Sequence, residues 1–256
     1  MALPSYEIAA LATRWPRLKR SLEVYYGDAA RDAAMDALYA TFIPRGGLAF
    51  DIGSHVGDRI GAFRRIKAHV VALEPQPDCA AAIRHIYAED GGVTLVEAAC
   101  GSQVGTLTLA VNSANPTVTT ASADFVKAAA GAEGWEGQVW DSSITVPVTT
   151  LDALIAAHGV PDFVKIDVEG FEGDVLSGLT RPIKALSFEF TTIQRDVAVE
   201  CLALVAKLGD YRFNIALGES QSLTFEAGIS HHAMAAHIAS LPHSANSGDV
   251  YAFLAG

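Results

Sequence analysis

Short apolar segments alternate with segments of helical character along most of the chain, and this alternation constrains the fold more than any other feature. The apolar segments, rich in Val, Ile, Leu and Phe, are residues 48–52, 70–73, 93–98, 163–166 and 185–190. The helical segments are residues 58–67, 77–87, 152–158, 171–179 and 196–208. Strands that are apolar along their whole length are typical of a parallel sheet with helices on both faces. With two more strands at residues 211–217 and 249–254, the sequence predicts a doubly wound, mostly parallel α/β sheet of seven strands.

The N-terminal part of the chain precedes this alternation. Residues 25–42 carry apolar side chains at helical spacing, and the segment Pro44-Arg45-Gly46-Gly47 ends the pattern. An amphipathic helix is therefore predicted there. We expect residues 1–45 to form an N-terminal helical cap and residues 46–256 to form the main domain.

A long segment separates the third and fourth predicted strands. Within it, residues 105–111 and 144–148 alternate apolar and polar side chains, which is typical of strands with one buried face. The sequence therefore predicts an antiparallel β insertion between strands 3 and 4 of the main sheet.

The net charge and the cysteines of the chain indicate which partners and which cellular compartment are expected. Eighteen Lys and Arg residues against 29 Asp and Glu residues give a net charge of −11, which repels phosphate backbones and disfavours nucleic acid as a partner. Cys79, Cys100 and Cys201 form neither a C-x-x-C pair nor an even set, which favours a reducing compartment. The N-terminus lacks the residue order of a signal peptide, and the uncharged residues 98–123 are too polar for a membrane span. We therefore expect a cytoplasmic protein without membrane spans.

The most informative motif is the loop after the first strand, which has the sequence DIGSHVGD at residues 51–58. A glycine at a strand end allows a tight turn, and a second glycine near a helix start lets the backbone approach a ligand. A dinucleotide-binding loop of the form G-x-G-x-x-G would need glycine where this chain has His55 and Asp58. The Asp58 carboxylate would also repel a pyrophosphate, whereas the cationic ammonium and sulfonium of S-adenosylmethionine favour acidic surroundings. The loop therefore predicts an S-adenosylmethionine site, with a plain helix-capping turn as the alternative.

A second acidic residue follows the next predicted strand. Glu74 ends the apolar segment 70–73 and lies 23 positions after Asp51. A carboxylate about 20 residues beyond a glycine loop is the usual partner of a cofactor's ribose. We expect Glu74 to accept hydrogen bonds from both ribose hydroxyls.

Further carboxylates cluster after the fourth strand, at the edge where ligands bind in open α/β sheets. Asp167, Glu169 and Glu172 directly follow the strand at residues 163–166. They could hold the cofactor's amino group, accept a proton from a substrate or bind a divalent cation. For Glu172, a helix N-terminal acid stabilised by the helix dipole is the alternative. Glu189, near the end of the fifth strand, is a candidate substrate contact, with a purely structural acid as the alternative.

Taken together, these motifs resemble a known family. The segments DIGSHVGD, VVALEPQPD, VEAACGSQVGTLTL, VTTLDAL, DFVKIDVEGFEGDVLSGL and LSFEF occur in this order between residues 46 and 190. In order and spacing they resemble the FkbM family of S-adenosylmethionine-dependent methyltransferases. The resemblance implies a class I, Rossmann-like methyltransferase fold and, as the usual activity, O-methylation of a hydroxyl on a sugar, polysaccharide or natural-product acceptor.

The resemblance also implies roles for single residues. The cofactor-binding positions are Asp51, Gly53, Ser54, His55, Gly57, Glu74, Ala99, Cys100, Gly101 and Asp167. Of these, Ala99, Cys100 and Gly101 would lie near the adenine. Asp167 and Glu169 would face the methionine end of the cofactor and the acceptor. His55 departs from the family pattern, where Asn is frequent, and it either orients the methionine carboxylate or titrates near neutrality and helps to deprotonate the acceptor.

The sequence thus predicts an S-adenosylmethionine-dependent methyltransferase with Asp167, Glu169 and His55 as catalytic candidates. Its partner is a small-molecule or glycan hydroxyl acceptor, and no metal ligand is assigned. Two alternatives stay open. An NAD-dependent oxidoreductase is disfavoured by His55 and Asp58, and a non-catalytic cofactor-binding scaffold would have no use for acids at the fourth strand. The sequence does not predict the acceptor's identity, a metal requirement or the oligomeric state.

Overall fold

The computed structural model describes residues 5–255, so residues 1–4 of the predicted cap and residue 256 of the predicted main domain lie outside the described residues. The strands are β1 (Leu48–Ile52), β2 (His69–Leu73), β3 (Val93–Val96), β4 (Ala99–Cys100), β5 (Gly105–Val111), β6 (Ser142–Thr149), β7 (Phe163–Ile166), β8 (Ala185–Thr191), β9 (Tyr211–Leu217) and β10 (Ser247–Leu254). The helices are α1 (Ser5–Arg14), α2 (Lys19–Tyr25), α3 (Ala29–Tyr39), α4 (Asp58–Arg65), α5 (Pro77–Ile86), α6 (Ala123–Ala129), α7 (Leu151–His158), α8 (Glu172–Ser177), α9 (Arg195–Leu208) and α10 (His231–Ser240).

The main sheet has seven strands within the described residues, in the order β3-β2-β1-β7-β8-β10-β9. β1 pairs in parallel with β2 on one side and with β7 on the other, while β10 runs antiparallel between β8 and β9. The predicted doubly wound, mostly parallel sheet is therefore confirmed. Its order brings the carboxyl ends of β1, β2, β7 and β8 to one edge.

Side chains of β1 alternate between two hydrophobic layers, because successive residues of a strand point to opposite faces of the sheet. Phe50 packs on one face in a cluster that includes Leu154 of α7. Ala49 packs on the other face with Met35 of α3 and Ile60 of α4. Both faces of the sheet are thus covered by helices, as the apolar strands predict.

The predicted β insertion is confirmed as a second sheet of three strands within the described chain, in the order β4-β6-β5. β5 and β6 are antiparallel over their length, and β4 pairs in parallel with the end of β6. Its apolar face buries Leu109 and Val146. The insertion lies in sequence between β3 and β7, so it can contribute residues to the same edge of the main sheet.

The N-terminal region contains α1, α2 and α3, where the sequence predicts one helix over residues 25–42. The predicted start is wrong because the Asp28 carboxylate caps α3, accepting hydrogen bonds from the backbone N–H groups two and three residues later at 2.9 and 3.0 Å. Of the apolar residues at helical spacing in this segment, Met35 and Tyr39 are buried, as an amphipathic helix requires, whereas Ala30 is exposed.

The first two helices pack beside the loop that follows β1. Leu18 and Leu22 are buried in a cluster with Val56 and Cys79. The hydroxyl of Tyr26 donates a hydrogen bond of 2.8 Å to the carbonyl oxygen of Val56. The N-terminal region is therefore joined to the main sheet through the same loop that carries the glycine motif.

Among the helices of residues 5–255, none is long and apolar enough to span a bilayer.

Candidate active site

A cleft of about 940 Å³, including the space at its open mouth, lies at the carboxyl ends of β1, β2 and β7. Its walls come from the loop after β1, the end of β2, the β insertion, the loop after β7 and the N-terminal region. The residues on its walls that the sequence analysis singled out are Asp51, Gly53, Ser54, His55, Asp58, Glu74, Ala99, Cys100, Asp167 and Glu169. The structure therefore brings both predicted groups, the cofactor loop and the acidic strand end, to one cleft.

Two glycines shape the loop after β1. Gly53 has a φ of 83°, and a Cβ there would collide with the carbonyl oxygen of Asp167, so this glycine lets the loops after β1 and β7 meet. Gly57 has a φ of 85° and precedes α4. A Cβ there would lie 3.1 Å from Tyr87 and 3.2 Å from Ile83. Within the described chain, the atoms nearest to this position therefore belong to α5 and the residue after it, so Gly57 also serves protein packing.

Two buried carboxylates face the cleft from the ends of β1 and β2. Asp51 Oδ2 finds no hydrogen-bond partner among the described residues, and burial raises the pKa of Asp51 to about 7. Glu74, 2% exposed, accepts hydrogen bonds from the backbone N–H groups of His55 at 2.7 Å and Gln76 at 2.8 Å. Burial raises the pKa of Glu74 to about 8, although both hydrogen bonds oppose the shift. Glu74 is thus held in place by the backbone, while Asp51 keeps one oxygen for a donor from outside.

The imidazole of His55 is enclosed on both sides. Its Nδ1 lies 3.6 Å from Cys79 Sγ and its Nε2 lies 3.2 Å from Thr117 Oγ1. The edge of the Tyr25 ring also packs against it, with 6.0 Å between ring centroids. Burial lowers the pKa of His55 to about 4. This shift favours a neutral imidazole at physiological pH and a positioning role for His55.

Asp167 at the end of β7 belongs to a buried ionic group that the sequence analysis missed. The Nζ of Lys165, 1% exposed, lies 3.0 Å from Asp167 Oδ2 and 2.8 Å from Asp249 Oδ1. A lysine inside an otherwise apolar strand was the available signal, since a buried ammonium needs acidic partners. Lys165 therefore fixes Asp167 at the cleft.

The turn after β7 places two glutamates in different roles. Glu172 Oε1 accepts hydrogen bonds from the backbone N–H groups of Val168 at 3.0 Å and Gly170 at 3.2 Å, so it stabilises the turn as a helix N-terminal acid. Glu169 has a φ of 55°, a backbone conformation uncommon for a residue with a side chain. It is 8% exposed, and its Oε2 has no hydrogen-bond partner in the described part of the chain.

A third carboxylate approaches from β8. One oxygen each from Asp167, Glu169 and Glu189 lies within 4.8 Å of the others. Burial, followed by the charge of Asp167, raises the pKa of both Glu169 and Glu189 well above the usual range. Glu189 lines a second, smaller cavity of about 190 Å³ together with Gln194. The predicted acids of the fourth and fifth strands thus converge at the boundary between two cavities.

Of the three residues predicted near the adenine, two line the cleft and the third lies beside it. Ala99 and Cys100 line the cleft. Gly101 follows them and packs beside Val148 and Phe171, at 3.2 and 3.6 Å from the position of a Cβ. Gly101 therefore serves the packing of the β insertion against the turn after β7.

Two arginines that the sequence analysis missed lie at the mouth of the cleft. Arg31 of α3 and Arg59 of α4 both contact Asp58, at 2.8 and 3.0 Å, and Glu219, at 3.0 and 2.9 Å. Burial alone would raise the pKa of Glu219, but the two arginines hold it at about 2. The carboxylate of Asp58 therefore binds arginines, and the helix cap itself is Gly57. We call these four residues the arginine clamp; sequence spacing does not reveal it, because Arg31 and Glu219 lie far along the chain from the adjacent Asp58 and Arg59.

The sheet order, the glycine loop after β1, the acid that ends β2 and the cleft at their common edge define a class I methyltransferase that uses S-adenosylmethionine. The comparison with protein families agrees: the methyltransferase FkbM domain matches residues 51–237. The chain belongs to the FkbM methyltransferase family. No curated protein matches it.

Three methyltransferases are among the solved structures to which the chain is similar. The O-methyltransferase from Bacillus cereus, in complex with S-adenosylhomocysteine, has a TM-score of 0.50 at 10% identity and covers 99% of this chain and 92% of its own. A TehB-like S-adenosylmethionine-dependent methyltransferase from Corynebacterium glutamicum has a TM-score of 0.49 at 11% identity, covering 98% and 100%. A precorrin-6y C5,15-methyltransferase from Geobacter metallireducens has a TM-score of 0.45 at 16% identity, covering 88% and 86%.

The cofactor is S-adenosylmethionine, and the residues present fit it. The buried Oδ2 of Asp51, unpaired within residues 5–255, offers an acceptor to a cationic or hydroxyl donor at the cleft. Each oxygen of Glu74 uses one lone pair on the backbone and retains another for a ribose hydroxyl. These carboxylates complement a cofactor without phosphates, and the NAD alternative is wrong.

Proposed function

We propose that this methyltransferase acts on a hydroxyl group of a sugar, polysaccharide or natural-product acceptor. The observation that carries the proposal is the group of three carboxylates from the ends of β7 and β8, which adjoins the cofactor cleft. A hydroxyl must lose its proton as it accepts a methyl group, and a carboxylate beside it can receive that proton.

The cofactor half of the site follows from the loop geometry. We assign Asp51, Gly53, Ser54, His55 and Gly57 to the loop that carries the methionine part of the cofactor. Glu74 binds the ribose, with Ala99, Cys100 and Gly101 on the adenine side. The neutral imidazole of His55, held between Cys79 and Thr117, supports a positioning role in this loop over a role as base.

The acceptor half lies on the other side of Asp167. When bound, S-adenosylmethionine supplies a methyl group on a positively charged sulfur. Asp167, fixed by Lys165, and Glu169 position the acceptor hydroxyl, and one of the two receives its proton as the new bond forms. Glu189 contacts the acceptor from β8. Alignment supplies most of the rate enhancement, about 7 to 11 kcal/mol in well-oriented systems, and the base adds about 10² to 10⁴ in rate.

We further propose that the N-terminal region, predicted as residues 1–45, caps the main domain, predicted as residues 46–256. The contact between the Tyr25 and His55 rings supports a role of this cap in enclosing the cofactor. We also propose a cytoplasmic location, which the three buried free thiols of Cys79, Cys100 and Cys201 support.

Methyl transfer from labelled S-adenosylmethionine to a panel of glycosides and hydroxylated natural products tests the proposal. We expect label in at least one hydroxylated acceptor, as an ether stable to base. The matched control is the same acceptor with the hydroxyl already methylated. Transfer to amines or thiols in the same panel, with no transfer to any hydroxyl, would overturn the assignment of an oxygen acceptor.

A further inference from the structure

We propose that Asp167, Glu169 and Glu189 bind one divalent cation of the hard type represented by Mg²⁺ and Mn²⁺. The inference deepens the proposed function, on which it rests, because the cation would lie where the acceptor hydroxyl is expected.

The geometry of the three carboxylates suits such an ion. They come from the end of β7, the turn after it and β8, and one oxygen of each lies within 4.8 Å of the others. Oxygen ligands lie about 2.0 to 2.1 Å from Mg²⁺ and about 2.3 to 2.6 Å from Ca²⁺, so ligands on opposite sides of an ion are about 4 to 5 Å apart. The three oxygens therefore need little movement to enclose a cation, and carboxylates are the ligands that these ions prefer.

Buried oxygens without partners provide the second observation. Glu169 is more than nine-tenths buried, and its Oε2 lacks a hydrogen-bond partner among residues 5–255. Gln194, 7% exposed, lines the small cavity beside Glu189, and its Oε1 is likewise unpaired within the described chain. An unpaired buried acceptor costs about 1 to 3 kcal/mol, more when it is charged. A cation between these oxygens would remove the cost, with Gln194 as a neutral fourth ligand.

Basic residues of the described chain balance the negative charge of these three carboxylates only in part. The ammonium of Lys165 contacts both Asp167 and Asp249. Neither Glu169 nor Glu189 has an ion-pair partner among the residues that the structure describes. The cofactor's own ammonium would not suffice, because Glu189 lines the smaller cavity beyond Asp167. A divalent ion reaches all three carboxylates from one point.

Such a cation would act on the acceptor side. A hydroxyl in contact with it becomes more acidic and is held in one orientation. The bond from oxygen to the methyl carbon forms as the bond from sulfur to that carbon breaks. The hydroxyl proton passes to a carboxylate oxygen that does not contact the cation, so charge and atoms balance.

Binding of Mn²⁺ to the full chain, after treatment with a chelator and gel filtration, tests the inference by calorimetry and electron paramagnetic resonance. We expect one Mn²⁺ per chain, displaced by excess Mg²⁺, and an affinity at least about tenfold weaker in Glu189→Gln and Glu169→Gln. Asp174→Asn is the matched control, because it removes an exposed carboxylate from the neighbouring helix α8, and it should bind Mn²⁺ like the parent chain.

Titration with S-adenosylhomocysteine on the same samples separates the two proposals and reports whether each variant is folded. Cofactor-product binding without specific Mn²⁺ binding at millimolar concentration would overturn the cation site alone. Equal Mn²⁺ affinity in Glu189→Gln and the parent chain would overturn it as well, since the ion would then lie elsewhere. Mn²⁺ binding with label transferred only to amines or thiols would support the cation site and overturn the hydroxyl acceptor.

Discussion

Glu74 and Glu169 are both buried carboxylates on the wall of one cleft, yet they differ in the hydrogen bonds that they accept from the chain. Both oxygens of Glu74 accept backbone hydrogen bonds, one from the loop after β1 and one from the start of α5. Oε2 of Glu169 has no such bond within the described residues, and the backbone of Glu169 has a positive φ. One carboxylate is fixed by the backbone through both of its oxygens, and the other keeps one oxygen unpaired within the described residues.

The difference indicates how the two halves of the site work. The cofactor half is built from local backbone contacts, so its shape is set before the cofactor binds. The acidic edge gathers charge from two strands and leaves it partly unpaired, which is costly in a folded protein unless it serves a ligand. Substitutions should therefore affect cofactor affinity in one half and turnover in the other.

The largest effect is expected for Glu169→Gln. Loss of a proton acceptor should reduce turnover by about 10² to 10⁴ while the affinity for S-adenosylhomocysteine stays within about threefold. Methyl transfer under saturating conditions and calorimetry measure the two quantities, with Glu97→Gln at an exposed position as control. An affinity that falls in parallel with turnover would place Glu169 in the cofactor half. Asp167→Asn is a poorer test, because it removes a partner of Lys165.

Glu74→Ala should produce the opposite pattern. Above pH 8, where Glu74 is ionised, the loss of hydrogen bonds to a charged group corresponds to about 1.5 to 3 kcal/mol, or roughly 10- to 150-fold weaker binding of the cofactor product. Turnover at saturating cofactor should change far less. Calorimetry with S-adenosylhomocysteine checks this, and Glu74→Gln shows how much of the effect depends on charge. A change below tenfold in Glu74→Ala would mean that Glu74 does not contact the ribose.

Substitution of Gly57 tests whether packing of the cofactor loop against α5 requires a glycine at this position. Gly46 and Gly57 have φ values of 80° and 85°, but a Cβ at Gly46 would meet no atom of residues 5–255 within 4 Å. Gly46→Ala should cost about 1 kcal/mol of unfolding free energy from backbone strain alone, near the lower end of the usual range. Gly57→Ala should cost more, because it also presses on Tyr87 and Ile83. Urea denaturation measures both, and equal costs would show that packing against α5 does not require Gly57.

The stability of the folded chain should also depend on pH. Because the pKa of Glu74 is raised to about 8 in the folded chain, the folded state keeps a proton that the unfolded chain loses near pH 4.5. This group's stabilisation is full below that pH and is lost as the pH rises through 8. Asp51 and Glu172, with pKa values of about 7, act in the same direction, whereas His55 acts oppositely between pH 4 and 6.5.

Without cofactor, the unfolding free energy should therefore fall between pH 6.5 and 8. The fall should be shallower in Glu74→Gln by up to one proton, or about 1.4 kcal/mol per pH unit. Urea denaturation at several pH values in both proteins measures the slopes. Parallel profiles would show that Glu74 has an ordinary pKa in the folded chain.

A region can be predicted from the sequence when the residues that contact one another there lie close together along the chain. The sheet could be predicted, and so could the meeting of the glycine motif and Glu74 at one cleft, because residues 51–57 are one continuous segment and Glu74 directly follows the very next strand. The packing role of Gly57 could not, because it depends on how α5 approaches α4. The arginine clamp joins residues from α3, α4 and the loop after β9, and neither its spacing nor its residue types distinguish it from solvent-exposed charges.

The arginine clamp also has a consequence for salt tolerance. Arg31 and Arg59 share two carboxylates, the buried Asp58 and the half-exposed Glu219, and Arg31 thereby joins the N-terminal region to the segment after β9. Salt screens contacts with exposed charges far more than contacts between buried ones. Concentrated salt should therefore loosen the contacts of Glu219 and leave those of Asp58 in place, so the N-terminal region stays attached beside the cleft at high ionic strength.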